Sequence, residues 1–247
     1  MRLALFVTCL GDTLAPHAAT ATVAVLERLG HEVVFPAGQT CCGQMHANSG
    51  YRDEALRVAR GFVRAFAAES ADAIVAPSGS CVAMVREQLP LLAEEAGDEA
   101  LAAAARELGA RTFELSELLV HELEVEDVGA TFPHRVAYHP ACHSLRVLRI
   151  GDAPLRLLRA VRGLELVELP DAATCCGFGG LFSTKLHEVS GAMLADKLAA
   201  LRASGAEVCT AVDGSCLMHV GGGLSRAGDP IRALHLAEIL ASTETTA

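Results

Sequence analysis

Thr40-Cys41-Cys42-Gly43 and Thr174-Cys175-Cys176-Gly177 are two copies of one four-residue stretch, 134 residues apart (174 − 40). Gly79-Ser80-Cys81 follows the first copy, and Gly214-Ser215-Cys216 follows the second at almost the same interval. The chain has nine cysteines, and all but one of them fall into two matching sets of four. These sets are Cys9, Cys41, Cys42 and Cys81, and Cys142, Cys175, Cys176 and Cys216. Because spacing and neighbouring residues repeat together, the sequence indicates an internal duplication.

Each half also shows the same order of secondary-structure signals. Short apolar runs alternate with longer amphipathic runs, which is typical of βαβ units in a parallel sheet. Strands are predicted at 2–8, 32–35, 73–77, 135–139, 164–169 and 207–212, and helices at 17–29, 52–68, 154–161 and 185–204. The predicted fold is α/β, with two Rossmann-like βαβ lobes that form a first domain (1–130) and a second domain (131–247). Residues 221–230 are expected to be flexible, and residues 242–247 to be disordered.

This topology brings the four cysteines of each half together. One cysteine follows the first predicted strand of its half, the adjacent pair follows the second, and the last follows the third. The carboxyl ends of parallel strands meet at one edge of the sheet, where ligands bind in open α/β folds. Gly43 and Gly177 would let the backbone approach the sulfur atoms closely. All eight repeated cysteines are therefore candidate metal ligands.

Three kinds of chemistry suit four convergent thiols. Zinc takes four cysteines, but structural zinc sites usually use Cys-x-x-Cys pairs, which this sequence lacks. Adjacent cysteines reach one small ion with difficulty, whereas neighbouring thiolates can ligate different irons of a cluster. The pattern favours iron–sulfur clusters over zinc and over thiol redox chemistry without a metal. Cys209 has no counterpart and lies in an apolar strand, so it is predicted to be a small buried hydrophobic residue.

Composition argues against several classes of partner. The 247 residues include 30 acidic and 20 basic side chains, and the net charge of −10 disfavours nucleic acid and anionic lipid. No apolar stretch approaches the roughly 20 residues that span a bilayer. The apolar run Leu3–Leu10 is interpreted as a buried strand rather than a signal peptide. We therefore expect a cytoplasmic protein, where thiols stay reduced, without direct membrane insertion.

The two Cys-Cys-Gly blocks, each followed by Gly-Ser-Cys, resemble the cysteine-rich CCG domain. This domain occurs in heterodisulfide reductase, in the glycolate oxidase iron–sulfur subunit and in anaerobic glycerol-3-phosphate dehydrogenase. A chain of only two such domains, with the stretches Cys175–Gly180 and Ser215–His219, is most similar to the lactate-utilisation protein A family. The resemblance covers nearly the whole chain. It implies an iron–sulfur subunit of an oxidoreductase complex that converts L-lactate to pyruvate without nicotinamide, beside two partner proteins, one of which carries further iron–sulfur clusters.

The sequence departs from the wider family at two positions that bear on the cluster type. The cysteine-rich subunit of heterodisulfide reductase ends each half with Cys-x-x-Cys and holds a fused cluster with five cysteines. Here Ser78 and Asp213 replace the earlier cysteine of each pair. The four remaining thiolates suit an ordinary [4Fe-4S] cluster, one in each half. Ser78 and Asp213 are interpreted as caps of the helices that follow, with oxygen ligation as the alternative.

Four histidines lie close to the cysteines in sequence. His139 and His143 bracket Cys142, and they are expected to hydrogen-bond near the ligands or to line the crevice. His46 and His219 are equally close to a cysteine set, but the sequence assigns them no role. No residue set accounts for removal of hydride from lactate, so no catalytic residue is assigned.

The same thiols are compatible with two other functions. A thiol/disulfide oxidoreductase resembling heterodisulfide reductase would split a disulfide beside a cluster. A zinc-binding scaffold would be colourless and non-catalytic, and it would only hold an assembly together. The scaffold is disfavoured because it does not require two matched crevices full of thiols.

Overall fold

The computed structural model describes residues 1–244, which form two parallel sheets of four strands each. The strand order in the first sheet is β2-β1-β3-β4. The first half comprises β1 (Arg2–Leu5), α1 (Cys9–Leu14), α2 (Pro16–Arg28), β2 (Glu32–Val34), α3 (Gln44–Asn48), α4 (Arg52–Ala67), β3 (Ala73–Ala76), α5 (Gly79–Ala83), α6 (Leu89–Glu95), α7 (Glu99–Ala110), β4 (Thr112–Glu114) and α8 (Leu115–Glu117). π-Helical turns at Met84–Gln88 and Leu118–Glu122 extend α5 and α8. Every helix within residues 1–244 is too short or too polar to span a bilayer.

The second half repeats this arrangement. It comprises β5 (Arg135–Tyr138), a π-helical turn (Ser144–Leu148), α9 (Ala153–Ala160), β6 (Glu165–Val167), α10 (Leu181–Lys185), α11 (His187–Ser204), β7 (Val208–Ala211), α12 (Gly214–Arg226), β8 (Arg232–His235) and α13 (Leu236–Ala241). The strand order is β6-β5-β7-β8, which matches the first sheet strand for strand. The predicted α/β class, the parallel sheets and the internal duplication are therefore confirmed.

The six predicted strands and four predicted helices are present, but the sequence analysis missed the fourth strand of each sheet. β4 and β8 are edge strands of three and four residues, and each runs directly into a helix. Because no turn residues separate β4 and β8 from the helices that follow them, their patterns merge with those of the helices. The predicted helix 185–204 is also divided at Leu186, where the backbone leaves the helical region between α10 and α11.

Apolar side chains on both faces of the central strands form the core. β3 is buried along its whole length because helices cover both faces of the sheet. On the first sheet, Phe6 meets Phe62 and Phe66 of α4 edge-to-face, with ring centroids 4.9 and 5.5 Å apart. Phe62 and Phe66 fall on the buried face of α4, whose apolar residues recur at helical spacing.

The core is continuous between the halves because the last helix of each half packs on the other half. α13 lies against α2 of the first half, and α8 lies against α9 of the second. The Arg28 guanidinium strengthens the first of these contacts by donating to the carbonyl oxygens of Val128 (2.9 Å) and Leu240 (3.1 Å). The domain boundary between residues 130 and 131 stays a prediction.

The segment 221–230, which we expected to be flexible, is largely helical. Residues 221–226 are the last part of α12. Their glycines allow close packing: a Cβ atom on Gly223 would lie 2.9 Å from a methyl carbon of Leu194, and one on Gly221 would lie 3.1 Å from the Cβ of Ala233. The expected disorder of 242–247 is wrong at Ser242, whose hydroxyl donates to the Thr131 carbonyl at 2.8 Å. Residues 245–247 lie outside the described residues.

The Glu114 carboxyl at the end of β4 predicts a pH-dependent stability. Its Oε2 accepts the Ser116 N–H, but its buried Oε1 has no partner among residues 1–244. Burial raises the pKa of Glu114 from 4.5 to about 8. Because the folded state binds the proton more tightly, this contribution to stability is complete below about pH 4.5 and is lost as the pH rises through about 8. We expect Glu114→Gln to stabilise the metal-free protein at pH 8 by a few kcal/mol, which is the order of magnitude of the free energy that corresponds to the pKa shift. Near pH 4.5 the effect should be much smaller.

Urea unfolding of the metal-free protein at pH 5 and pH 8 measures this difference. The exposed Glu107→Gln serves as the control, because it also removes one carboxylate but leaves the core unchanged. An equal pH dependence in Glu114→Gln and the unsubstituted protein would show that Glu114 is ionised in the fold.

Candidate metal centres

Three loops of the first sheet bring the thiols of Cys9, Cys41, Cys42 and Cys81, the first tetrad, into contact. Cys9 begins α1 after β1, the adjacent pair lies between β2 and α3, and Cys81 lies in α5 after β3. The Sγ atoms of Cys9 and Cys41 are 3.2 Å apart, and those of Cys42 and Cys81 are 3.4 Å apart. The structure therefore brings these four residues together at the carboxyl edge of the sheet, as predicted.

Cys142, Cys175, Cys176 and Cys216, the second tetrad, converge in the same way on the second sheet. Cys142 follows β5, the adjacent pair lies between β6 and α10, and Cys216 lies in the first turn of α12. Cys142 is hydrogen-bonded to Cys175, and Cys176 is hydrogen-bonded to Cys216. The two tetrads therefore have the same internal pairing.

A glycine with positive φ follows each Cys-Cys pair and positions it. φ is +87° at Gly43 and +93° at Gly177, a region that L side chains rarely adopt. Each glycine N–H donates to the first sulfur of its pair at 3.4 Å. A Cβ on Gly177 would lie 2.6 Å from the Ser190 carbonyl oxygen of α11. The glycine therefore lets the loop and the helix come together closely enough to hold both sulfur atoms.

Contact between the thiols separates their pKa values within each tetrad. Hydrogen bonds from Cys42 and Cys9 lower the pKa of Cys41 to about 2, and hydrogen bonds from Cys142 and Cys176 lower that of Cys175 to about 2. Hydrogen bonds with Cys41 and Cys81, together with burial, raise the pKa of Cys42. The metal-free tetrad thus favours one thiolate that its neighbours solvate, and four thiolates at once require a cation to offset their repulsion.

Both tetrads open into one cavity of about 870 Å³ between the halves, the central cavity. All eight repeated cysteines line it, together with apolar side chains from α1, α10 and α12 and mostly polar ones from α3. α5 contacts the π-helical turn of the second half, and α1 contacts α12, so each tetrad is framed by elements of both halves. A molecule in this cavity would reach both tetrads.

Ser78 and Asp213 cap the helices that carry the last cysteine of each tetrad, which confirms the capping interpretation. Ser78 Oγ accepts the Cys81 N–H at 3.4 Å, and Asp213 Oδ1 accepts the Ser215 N–H at 3.1 Å. Asp213 also reaches across the interface, where its Oδ2 accepts the Ser80 N–H at 2.8 Å. One buried carboxylate therefore stabilises the first turns of α5 and α12 together.

The four histidines occupy different places around the tetrads. His139 is buried behind the second tetrad, with a ring nitrogen within 4.8 Å of the Cys176 and Cys216 sulfur atoms. His143 lines the central cavity, with Nε2 3.3 Å from the Gln44 amide nitrogen of the first half. His46 also lines the cavity, and its buried Nδ1 has no partner among residues 1–244. His219 lies farther back, where its Nε2 is 3.4 Å from the Ser190 hydroxyl.

Cys209 was correctly interpreted from the sequence, whereas the buried Lys197 was missed. Cys209 is fully buried in β7, outside both tetrads, and burial raises its pKa to about 12, as expected of a core residue. Lys197 was missed, although it lies on the same helical face as Leu194 and Leu201 and is only 2% exposed. A lysine on the buried face of an amphipathic helix was the signal that could have identified it.

Comparison with known proteins identifies relatives over the whole chain. The family of the cysteine-rich domain CCG matches twice, at residues 3–86 and 136–221. The chain is 48% identical over 240 residues to lactate utilization protein A of Geobacillus kaustophilus, covering 97% of this chain and 98% of that protein. It is also 48% identical to lactate utilization protein A of an Exiguobacterium species, covering 96% of each chain. A solved glutamate racemase from Bacillus anthracis covers 98% of this chain and 78% of its own, with 12% identity and a TM-score of 0.35, too low to inform fold or function.

Substitution of Gly177 tests whether the close backbone approach is needed to hold the second tetrad. Gly177→Ala places a methyl group against the Ser190 carbonyl and forces an unfavourable φ, so we expect a loss of about 2–4 kcal/mol in the free energy of unfolding. Gly191→Ala in the neighbouring helix meets no atom within 4 Å and should change stability by less than about 1 kcal/mol. Urea unfolding of the two metal-free variants provides the comparison. Equal stability of both would contradict this account of the loop.

Proposed function

Because the chain belongs to the cysteine-rich CCG domain family and, within it, to the lactate utilization protein A family, we propose that it is an iron–sulfur electron-transfer subunit of a complex that oxidises L-lactate to pyruvate. The observation that carries this proposal is the pair of matched tetrads at one cavity. Two equivalent sites that face each other suit passage of electrons between them.

The donor set of each tetrad fits an iron–sulfur cluster. Four cysteine thiolates are the usual ligands of such a cluster, and Cys9, Cys41, Cys42 and Cys81 would supply them in the first half. Cys142, Cys175, Cys176 and Cys216 would supply them in the second. The sulfur atoms 3.2–3.4 Å apart are in direct thiol contact. Even a single zinc ion, with Zn–S bonds of about 2.3 Å, would separate them to about 3.8 Å, so any metal requires the side chains to rotate outward.

The chain's own residues account for how such a centre is held. The Gly43 and Gly177 N–H groups donate to a ligand sulfur, which stabilises thiolate charge. Ser78 and Asp213 fix the helices that carry Cys81 and Cys216. An iron–sulfur cluster supplies one-electron redox chemistry when bound. A [4Fe-4S] cluster in each half agrees with four cysteines per tetrad and with the absence of a fifth beside it.

The central cavity by itself does not suit lactate. Lactate carries a carboxylate, which proteins bind through arginine, lysine or backbone N–H groups. Among the described residues that line the cavity, none is arginine or lysine. We therefore place lactate binding and hydride removal on other subunits of the complex, and electron transfer, including exchange with a further iron–sulfur protein, on this one. The cytoplasm is the compartment proposed for the assembly.

Two alternatives differ from this proposal in what the isolated protein does. A thiol/disulfide oxidoreductase resembling heterodisulfide reductase would bind a disulfide in the central cavity and reduce it without partner proteins. A zinc-binding scaffold would contain zinc without sulfide and would have no reducible centre. Metal analysis and a disulfide-reduction assay on anaerobically purified protein separate the three functions.

Metal analysis of cysteine variants is the first test. We expect about eight irons and eight acid-labile sulfides per chain in protein purified without oxygen. Cys42→Ser and Cys176→Ser should each halve both values, because each removes a ligand from one tetrad. Cys209→Ala is the matched control, since that thiol is buried in β7 and belongs to neither tetrad, and its loss should leave the iron content unchanged. Zinc without sulfide would overturn the proposal in favour of the scaffold.

A further inference from the structure

The two tetrads are alike in their thiols but differ in what lies behind them. Gly43 packs on Ala55 as Gly177 packs on Ser190, so α4 and α11 correspond at an interval of 135 residues. At this interval Lys197 of α11 occupies the position of Phe62 in α4. At the interval that relates Cys142 to Cys9, His139 occupies the position of Phe6. An apolar Phe–Phe contact in the first half is thus a histidine and a lysine in the second.

Lys197 places a buried amino group on the loop that leads into the second tetrad. The residue is 2% exposed, and its Nζ donates to the carbonyl oxygens of Asp171 (3.1 Å) and Ala172 (3.2 Å), in the loop that leads to the Cys-Cys pair. No carboxylate among residues 1–244 forms an ion pair with it. Burial lowers the pKa of Lys197, and the charges that Cys209 and Cys176 carry when ionised oppose this effect. A buried ammonium group is stabilised by nearby negative charge. Cys176 and Cys142 of the second tetrad are among the groups that favour its charged form, together with Cys209 and Asp171.

His139 adds a hydrogen-bonding group in the same place. It is 1% exposed, and neither ring nitrogen has a hydrogen-bond partner among residues 1–244, although the Ala172 carbonyl lies nearby. Buried polar groups in folded proteins are almost always paired. One ring nitrogen lies within 4.8 Å of the Cys176 and Cys216 sulfur atoms, so the imidazole is a polar group beside these two thiols.

We infer that the two tetrads hold electronically different centres, and that Lys197 and His139 raise the reduction potential at the second tetrad above that at the first. This inference rests on the proposed function. Reduction adds one negative charge, which a buried cation and an N–H donor stabilise, and both are known determinants of cluster potential. Phe6 and Phe62 offer neither charge nor a hydrogen bond to the first tetrad. The resulting gradient favours movement of one electron from the first half to the second, with no bond or proton transferred.

Lys197 and His139 act on the centre without themselves reacting. The test therefore measures reduction potentials and not catalytic activity. Redox titration of the anaerobic full-length protein, followed by electron paramagnetic resonance, should give two midpoint potentials. Lys197→Met should shift the higher one downward and leave the lower one in place. Phe62→Met is the matched control, because it introduces the same side chain at the same position of the other half, and it should leave the higher midpoint unchanged.

A second variant keeps the inference testable if Lys197→Met does not load its cluster. His139→Phe gives the second half the residue that the first half already has, and it should also lower the higher midpoint. His139→Gln retains an N–H donor and should restore part of the shift. Titration of Cys42→Ser and Cys176→Ser assigns each midpoint to its tetrad, because each variant retains only one centre.

The possible outcomes distinguish failure of this inference from failure of the proposed iron–sulfur function. Two clusters with equal midpoints, a lower midpoint at the second tetrad, or no response to both Lys197→Met and His139→Phe would overturn the inference and leave the iron–sulfur proposal standing. Protein that contains neither iron nor sulfide would overturn both.

Discussion

The buried Asp213 carboxylate joins the two halves at the point on which the rest of the arrangement depends. One oxygen caps α12 of its own half, and the other accepts the Ser80 N–H of the opposite half. Backbone N–H donors offset the cost of burying this charge, and they fix where the two parallel sheets meet. At the same meeting point, Gly79 lets α5 approach Ser144, since a Cβ atom there would lie 1.9 Å from the serine hydroxyl. The tetrads consequently face one cavity instead of two separate surfaces.

The two tetrads differ in their surroundings and not in their thiols. Both halves use the same three loops, the same glycine conformation and the same thiol pairing. What differs is the environment: a phenylalanine cluster stands behind the first tetrad, while His139 and Lys197 stand behind the second. On the side of the central cavity, the first tetrad has the more polar neighbour. His46 lines the cavity wall next to the first tetrad, and Gly180 occupies the corresponding position in the second half. The duplicated fold thus preserves ligand geometry and allows polarity to vary.

Cysteine spacing predicted the convergence of the thiols well because the loops that carry the cysteines follow strongly apolar strands. β1, β3, β5 and β7 are unmistakable in sequence, and the carboxyl ends of parallel strands must share an edge. β4 and β8 escaped prediction because each runs directly into a helix without intervening turn residues. The helical glycines near Gly223 were misjudged, since their role depends on the closeness of α11, which only the tertiary structure shows. For the same reason, the partner of a buried lysine such as Lys197 cannot be predicted from local pattern.

The exchange of terminal helices has a consequence for how such a duplication can diverge. α13 completes the core of the first half, and α8 completes that of the second, so one half alone would complete its core by pairing with a second copy around a two-fold axis. In that symmetric homodimer, every residue behind one tetrad would also stand behind the other. A covalent link between the copies makes their association intramolecular and frees each copy to mutate independently. In the fused chain, phenylalanine at position 62 and lysine at the corresponding position 197 give two matched sets of thiols different neighbours, which a symmetric homodimer could not do.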